Sequence, residues 1–317
     1  MQPVKRYTDY AQFLARHFSG KVQKIAVDGG FTCPNRDGSK GTGGCTYCSN
    51  PAFAPRYCSH TASVADQIEA GKRFFAGRYS SMSYLAYFQS YSSTYASVDT
   101  LRRRYGEALA ADGVVGLVIS TRPDCITPDV VQLLAYFATR TTVIVELGIE
   151  SSHDTTLAAI NRCHSWSDSV NAVTMLHEAG IPCGAHLILG LPGEDVSMML
   201  ETADRVVGLP ISTLKLHQLQ LVRGTCLASL YEQGKLQLTR FTPHEYARLC
   251  ADVIRHTPTS VAFDRFVSQM PSAMLVGPRW GIKQSEFQTI LDTTLSACDA
   301  RQADSIGLPH DFLKVEL

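Results

Sequence analysis

The sequence predicts an α/β fold in which a parallel sheet is covered by helices. Strand-like apolar runs alternate with helix-like segments over the first two thirds of the chain, and this alternation is typical of parallel strands joined by right-handed crossovers. The runs are apolar almost throughout, which fits a sheet buried on both faces. The residues alone leave open a partial (βα) barrel and an open doubly wound sheet. Both would place ligands at the carboxyl ends of the strands.

Six strand-like runs carry this prediction, and five helical patterns separate or follow them. The runs lie at 24–29, 84–89, 114–120, 142–150, 185–190 and 213–219. The helical patterns lie at 62–77, 98–112, 127–138, 168–180 and 194–209. Thr127 and Pro128 supply an N-cap and a first-turn proline, and Gly180 is a suitable residue to follow a helix end. About six strand–helix units therefore fit between residues 20 and 220.

The pattern changes after about residue 220. Helices are predicted at 241–258 and 283–301, and a strand is predicted within 259–271. No linker rich in proline, glycine or serine precedes this part of the chain. We therefore expect a core at 1–220, which includes a lead-in at 1–22, and a C-terminal α/β extension at 221–317 packed on the core.

Composition restricts the class of protein. The 317 residues include 29 basic and 29 acidic side chains, so the formal net charge is zero. This balance gives no broad positive field for nucleic acid or an anionic membrane. The first twenty residues lack the apolar run of a signal peptide, and no stretch is long enough to span a membrane. We expect a cytoplasmic protein without membrane contact, whose ten cysteines are reduced.

The segment CPNRDGSKGTGGCTYC (33–48) places Cys33, Cys45 and Cys48 on one glycine-rich loop after the first predicted strand. Such a loop can curl around a compact ion or cluster. Three interpretations compete. A structural zinc site needs four ligands, and Cys58 is the nearby candidate for the fourth. A metal-free loop would leave three exposed thiols open to oxidation. An iron–sulfur cluster with three protein ligands would leave one iron open to bind a substrate or cofactor.

The cysteine motif, with Tyr47 directly before the last cysteine, resembles that of the radical S-adenosylmethionine (SAM) superfamily. The long spacing between the first two cysteines is similar to that in the branch containing the catalytic subunit of Elongator, and to the YhcC-like bacterial subgroup. The resemblance covers roughly residues 20–225. It implies a partial (βα)6 TIM-like barrel of the radical SAM type. It also implies a 4Fe–4S cluster on Cys33, Cys45 and Cys48, with SAM on the open iron.

The same resemblance implies a set of SAM-binding residues at successive strand ends. Arg162 would reach the SAM carboxylate, and Glu150 or Ser151 would bind the ribose hydroxyls. Local interpretations compete at several of these positions, such as a polar turn at 89–90, an ion pair of Arg122 with Asp124, and an ion pair for each buried carboxylate of strand 142–150. The implied set is Tyr47, Gln89, Ser90, Arg122, Glu150, Ser151, Arg162, Gly190 and Leu191.

Lys215 and His217 share one face of the sixth predicted strand. They would either contact substrate or lie on a solvated strand face. The implied activity is reductive cleavage of SAM to a 5′-deoxyadenosyl radical that abstracts hydrogen from the substrate. An electron donor such as flavodoxin or ferredoxin would be the partner. The substrate stays open among RNA, on which Elongator acts, a small metabolite and a protein side chain. The alternative function is a non-catalytic scaffold that binds zinc or an iron–sulfur cluster.

Overall fold

The structure, a computed structural model, describes residues 5–55, 57–58, 61–77 and 82–310. In this part of the chain, seven parallel strands form one sheet in the order β1-β2-β3-β4-β5-β6-β8. A short antiparallel pair, β7 and β9, lies apart from that sheet. The strands are β1 (Val22–Val27), β2 (Ser83–Phe88), β3 (Val114–Thr121), β4 (Thr142–Glu150), β5 (Cys183–Leu189), β6 (Thr213–Gln218), β7 (Leu221–Val222), β8 (Ala262–Arg265) and β9 (Leu275–Gly277).

Helices that join successive strands cover the outside of the sheet, whereas the first helix precedes β1 and packs its Phe13 against inward-facing Val118 and Ile144. The helices are α1 (Tyr10–His17), α2 (Asn50–Phe53), α3 (Val64–Phe75), α4 (Val98–Leu109), α5 (Pro128–Ala138), α6 (Asp154–Ala159), α7 (Trp166–Glu178), α8 (Val196–Val207), α9 (Cys226–Glu232), α10 (Pro243–His256) and α11 (Gln284–Ala297). None of the helices described is long and apolar enough to cross a lipid bilayer. The cytoplasmic location stays a prediction.

The strand order decides between the two predicted architectures. From β1 to β6 each strand pairs with the next one along the chain, and all pairs are parallel. A doubly wound sheet reverses its strand order at a switch point, and no reversal occurs in the described sheet. The predicted partial (βα)6 barrel is therefore confirmed. Each of the six predicted strands matches an observed strand to within about two residues.

Helix signals in the sequence act as expected. The Thr127 side chain accepts a hydrogen bond from the Val130 backbone amide and starts α5, with Pro128 at its first position.

The outer face of the sheet and the inner faces of the helices share one large apolar core. In β4, Val145 and Leu147 belong to that core, whereas Glu146 between them points the other way, into the barrel. At this level of β4, the face towards the barrel interior is charged and the face towards the helices is apolar.

The C-terminal part of the chain contributes directly to the barrel sheet. Strand β8 pairs with β6, with Thr213 opposite Ala262. The backbone of Thr8 also accepts a hydrogen bond from Phe263, so the N-terminal lead-in lies against the same strand. The β7–β9 pair and helix α1 were not predicted. The division of the chain at residue 220 stays a prediction, and the strand that ends the sheet comes from beyond it.

Candidate functional site

A cavity of about 1060 Å³ opens at the carboxyl ends of the strands. Tyr47 and Cys48 line one side of it, at the glycine-rich loop that follows β1. Lys215 and His217 of β6 line the opposite side. This is the place where parallel α/β folds position their ligands. Two groups of side chains, one around the cysteines and one on the barrel floor, therefore face a common space.

The glycine-rich loop folds back on itself so that its three cysteines come from one compact turn. The Cys33 carbonyl accepts hydrogen bonds from the amides of Arg36 and Asp37, and the Cys48 amide donates to the Cys45 carbonyl. Gly44 has φ +79°, and a Cβ at this position would stand 2.8 Å from the Arg36 guanidinium. Glycine is therefore required there for the backbone to pass the arginine.

Helix α6 and the turn after it hold this loop in place. The Thr46 amide donates to the Ile160 carbonyl at 3.0 Å, and the Asn161 side chain donates to the Gly44 carbonyl at 2.9 Å. In return, the fully buried Asn35 amide donates to the Asn161 carbonyl and lies 3.7 Å from Cys45 Sγ. These reciprocal bonds fix the position of the cysteines relative to β4.

The three thiols do not form a site for a single metal ion. A tetrahedral zinc–thiolate site brings its donor atoms to within about 4 Å of one another. Among the described residues, the only three metal-ligating side chains whose donor atoms all lie within 4.8 Å are elsewhere in the fold. The Cys58 thiol donates to Gln67 Oε1 at 3.3 Å and lies near Asp28. An iron–sulfur cube is larger than one ion and fits more widely separated thiols.

The surroundings of the cysteines are electropositive. Arg162 Nη1 donates to Cys45 Sγ at 3.4 Å, and Arg36 hydrogen-bonds to Cys48. Burial and the neighbouring Cys45 raise the pKa of Cys48, and the two arginines oppose that rise. Guanidinium donors stabilise sulfur in its anionic form. The donor set therefore suits an anionic cluster with thiolate ligands.

Two buried guanidinium nitrogens beside the cysteines have no hydrogen-bond partner in the described structure, Arg122 Nη1 and Arg162 Nε. Arg122 is otherwise held by Asp124 at 2.9 Å and by the Arg162 carbonyl at 2.6 Å. An unpaired buried donor is costly, on the order of 1–3 kcal/mol. These orphan donors indicate that an anionic or polar group completes the site when a ligand is bound.

Glu150 ends β4 at a bulge, with φ +70°, and its carboxylate lies in the cavity wall. Arg162 Nη2 is 3.5 Å from Glu150 Oε1 and also donates to the Gly148 carbonyl. A Cβ on Gly148 would stand 2.7 Å from Arg162 Nη2, so a side chain at that position would displace the guanidinium. Burial raises the pKa of Glu150, and Arg162 and a hydrogen bond from Tyr47 oppose the rise.

The other predicted SAM-binding residues lie at different distances from the cavity. Gln89 and Ser90, at the end of β2, line it together with Tyr47 and Glu150. Ser151 is fully buried and donates to Glu194 Oε1 at 2.5 Å, so its hydroxyl is directed away from the cavity. Gly190, at φ +96°, lies against a neighbouring pocket, and Leu191 is buried in a small apolar cluster beside Leu219.

The floor of the cavity is a buried network of charges centred on Glu146, which is 1% exposed. Its carboxylate lies 2.6 Å from Lys24 Nζ and 2.8 Å from Lys215 Nζ. Asp264 on β8 is 3.1 and 3.0 Å from the same two ammonium groups. Burial alone would raise the pKa of Glu146, but Lys215 and Lys24 hold it well below its ordinary value. Two carboxylates and two ammonium groups thus compensate one another.

Above this network, neutral and cationic groups face the cavity. Burial, with Lys215, lowers the pKa of His186 to about 4, although His186 Nε2 contacts Glu146 at 2.9 Å. Burial, with Arg265, also lowers the pKa of His217, whose Nδ1 contacts the Ser268 hydroxyl. The Arg265 guanidinium also lines the cavity. Its charge helps to lower the pKa of the neighbouring Asp264, although the Lys215 and Lys24 ammonium groups contribute more.

The sequence did not indicate Asn35, Asn161, Asp264 or Arg265 as site residues. Asn35 and Asn161 act through contacts between segments far apart in the chain. Asp264 and Arg265 lie on a four-residue strand whose sequence, AFDR, gives no motif. The alternation of Glu146 with apolar residues in β4 was the available signal for a charged interior.

The lowered pKa of His186 predicts that acid destabilises the fold. Its ordinary pKa is 6.5 and its folded value is about 4. Between these values the unfolded chain binds a proton that the folded chain does not, so stability is lost as the pH falls from 6.5 towards 4. We expect this histidine alone to lower the free energy of unfolding by about 2 kcal/mol between pH 7 and pH 5. Anaerobic urea denaturation at several pH values measures the change.

The matched variants for this measurement are His186→Gln and His244→Gln. His186→Gln should flatten the pH dependence, because an amide keeps a donor towards Glu146 without a proton to gain. His244 is exposed on α10, so its replacement should leave the slope as in the wild type. Equal slopes in all three proteins would contradict the assignment.

Comparison with known proteins gives two family matches and several relatives. Residues 36–206 match the radical SAM superfamily, and residues 211–296 match the radical SAM C-terminal domain. Protein YtqA of Bacillus subtilis is 38% identical over 89% of this chain and 87% of its own length. Protein YhcC of Escherichia coli is 37% identical over 98% of both chains.

A solved structure has the same fold. Elp3 of the archaeon Methanocaldococcus infernus, with an N-terminal deletion, superposes with a TM-score of 0.67 at 17% sequence identity. The match covers 89% of this chain and 64% of that one, so this chain spans slightly less than two thirds of the Elp3 chain. At this level of identity the likeness extends to the partial barrel alone.

Proposed function

The chain belongs to the radical SAM superfamily, and on that basis we propose that Cys33, Cys45 and Cys48 hold its 4Fe–4S cluster. Enzymes of this superfamily use that cluster together with SAM. The observation that carries the assignment is the arginine-lined loop, in which Arg162 donates to Cys45 at 3.4 Å and the thiols are not closed around one ion. Membership of an enzyme superfamily also favours catalysis over the alternative of a scaffold.

We assign the SAM site to the cavity wall between the cysteine loop and the ends of β2 and β4. Arg162 and Arg122 each keep one buried nitrogen without a partner in the described structure, and a guanidinium suits the SAM carboxylate. Glu150 lines the cavity, so it is our candidate for the ribose hydroxyls. Ser151 is less suitable, because its hydroxyl already donates to Glu194.

The remaining predicted SAM-binding residues would form the walls of the SAM site. Tyr47, which precedes Cys48 and is half-buried, hydrogen-bonds to Glu150 and forms part of the cavity wall. Gln89 and Ser90 offer polar groups at the end of β2. Gly190 and Leu191 would support the adenine side through backbone and packing, although both stand behind the cavity surface. These roles stay predictions, supported by where each residue lies.

The chemistry divides between cofactor and protein. When bound and reduced, the cluster supplies the electron that splits SAM into methionine and a 5′-deoxyadenosyl radical. This chain's own residues position SAM, keep Cys45 and Cys48 in a cationic environment, and exclude water around the reacting carbon. Superfamily enzymes need a reductant, and flavodoxin or ferredoxin is our proposed donor.

We propose that the substrate enters on the floor side, opposite the cysteine loop. There His217, His186 and Arg265 face the cavity. Lys215 is 2% exposed and is held by two carboxylates. Lys215 is therefore a member of the ion-pair network on the cavity floor, and His217 is the better candidate for substrate contact. A guanidinium in the cavity wall favours a substrate that carries an anionic group.

RNA is the second substrate class under this proposal. The long spacing between Cys33 and Cys45, which resembles that of the Elongator branch, favours it. The zero net charge of the chain does not, because an RNA-binding protein usually presents a basic face. A small anionic metabolite, or an anionic group on a protein, fits a cavity of about 1060 Å³ without such a face.

The test is reductive SAM cleavage by the protein after anaerobic reconstitution with iron and sulfide. We expect about four irons per chain, a brown colour, and release of 5′-deoxyadenosine when SAM and a strong reductant are added. Mass spectrometry of the product solution measures the release. Fractions of a cell extract, with and without ribonuclease treatment, then show which substrate class stimulates turnover.

Two outcomes would contradict the proposal. One is a colourless protein that retains a single zinc ion on the cysteine loop after reconstitution. The other is a brown protein that releases no 5′-deoxyadenosine under any reductant. Stimulation that disappears after ribonuclease treatment would support RNA over the small-molecule class.

A further inference from the structure

A second group of metal-ligating side chains lies on the outside of the barrel, away from the cavity. Asp204 stands near the end of α8, and Asp252 and His256 lie one turn apart on α10. His310 reaches the same place from the segment that follows α11. None of the four lines the cavity described above. The group therefore has no part in the chemistry proposed for the cysteine loop.

The four side chains converge closely. His310 Nε2 is 2.8 Å from Asp204 Oδ2, and His310 Nδ1 is 3.0 Å from Asp252 Oδ2. His256 Nδ1 is 3.9 Å from Asp204 Oδ1, and its ring stacks on that of His310 with centroids 3.8 Å apart. One donor atom each from Asp204, His256 and His310 lies within 4.8 Å of the other two.

Two buried atoms in this group have no hydrogen-bond partner in the described structure. They are His256 Nε2 and Asp252 Oδ1, which face each other at 3.8 Å, too far for a hydrogen bond. His256 is 6% exposed and Asp252 is 4% exposed. Buried polar atoms are rarely left unpaired, because their desolvation is not compensated. The pair indicates that a ligand of the cluster changes how these side chains are held.

We propose that Asp204, His256 and His310 bind one divalent transition-metal ion, for which zinc is the best match. Two imidazoles and one carboxylate are ligands that zinc prefers, whereas calcium and magnesium prefer oxygen alone. Tetrahedral zinc with such ligands needs donor atoms about 3.3 Å apart. The observed 2.8 and 3.9 Å separations run to different oxygens of Asp204. The stacked rings of His256 and His310 must therefore rotate to direct both nitrogens and one Asp204 oxygen at the ion.

Asp252 is the positioning residue of this site. Histidines that bind a metal through one nitrogen usually donate the other N–H to a carboxylate. Asp252 faces the far nitrogen of both rings, at 3.0 Å for His310 Nδ1 and 3.8 Å for His256 Nε2. A metal on the near side would fix the proton of His256 on Nε2, aimed at Asp252 Oδ1. The ring rotation that brings His256 to the metal would also have to close the 3.8 Å gap, and His256 Nε2 would then donate to Asp252 Oδ1.

A bound ion would tie His310, in the segment after α11, to two helices of the barrel. His310 would be joined to α8 and α10, which pack against the outer face of the sheet. The Asp204 side chain is 46% exposed, so the fourth position of the ion faces solvent and a water molecule can take it. The proposed site therefore has three protein ligands and one position open to solvent.

Zinc titration of the tag-free, cluster-loaded protein tests the proposal. We expect one zinc per chain to bind in competition with a metallochromic chelator and to raise the thermal unfolding midpoint by a few degrees. His310→Ala should abolish both effects without loss of iron. Asp252→Asn should weaken zinc binding about 10- to 100-fold. His244→Ala, at an exposed position on the same helix, is the control that should bind zinc like the wild type.

Equal zinc binding by wild type and His310→Ala would overturn the proposal, as would no binding by either. In the latter case a doubly protonated His310 bridges two carboxylates and no ion is involved. Cys45→Ser separates this site from the cysteine loop, because it should still bind zinc through the histidines. SAM cleavage is measured independently, so failure of either proposal leaves the other standing.

Discussion

Replacing Cys33, Cys45 or Cys48 by serine is expected to reduce 5′-deoxyadenosine release to the level seen without protein. A serine hydroxyl is a poor ligand for iron, and each cysteine is one of only three protein ligands proposed for the cluster. The loss should exceed the roughly 10- to 100-fold cost of removing a residue that merely supports a ligand. Iron content after anaerobic reconstitution and product release under reductant are the two measurements.

Two cysteine variants provide matched controls. Cys298→Ser, at an exposed position near the end of the chain, should retain both iron and SAM cleavage. Cys58→Ser tests the alternative of a four-cysteine zinc site, since Cys58 is the one further cysteine near the loop in sequence. The structure places its thiol against Gln67, so this variant should also keep its iron. Loss of iron in Cys58→Ser equal to that in Cys45→Ser would contradict the three-ligand assignment.

Glu146→Gln is expected to cause the largest loss of stability. The glutamine keeps the shape of the side chain but leaves two buried ammonium groups facing one remaining carboxylate, Asp264. Removing one partner of a buried ion pair costs about 3–5 kcal/mol, because the other charge stays buried without compensation. Anaerobic urea denaturation measures the free energy of unfolding. The Tyr87 hydroxyl, which donates to Glu146 at 2.9 Å, would also lose a charged acceptor.

The control for this prediction is an exposed ion pair. Glu201→Gln breaks a contact with Arg205 at 2.8 Å in which both side chains are nearly half exposed, and such pairs contribute about 1 kcal/mol or less. If Glu146→Gln proves too unstable to purify, Glu146→Gln combined with Lys215→Met should recover part of the stability, because it removes one uncompensated charge. An effect no larger than that of Glu201→Gln would contradict the description of the floor as a compensated network.

The core of the fold could be predicted because its signals are local. Each strand is a continuous apolar run between polar turns, and helices such as α5 and α10 begin with capping residues that act within one turn. The cysteine motif is local in the same sense, since Cys45 and Cys48 come from a single turn. A resemblance carried by such segments was therefore enough to indicate both the barrel and its cofactors.

The partners of the site residues could not be predicted in this way. Alternation in β4 placed Glu146 inside the barrel, but its partners come from β1, β5 and β6 and depend on how the sheet curves. Asp264 and Arg265 come from a strand that is defined only by pairing with β6. Asn35 and Asn161 meet across more than a hundred residues. Contacts of this kind exist only once the chain has folded.

The strand that ends the sheet, β8, comes from the C-terminal part of the chain. It brings Arg265, and the loop after it brings Ser268, to the wall of the cavity that faces away from the cysteines. Lys215 and His217 of β6 complete this wall, and the cysteine loop on the other side comes from the start of the barrel. Substitutions after residue 260 can therefore reshape one wall of the cavity while the cysteine loop keeps its sequence and its contacts.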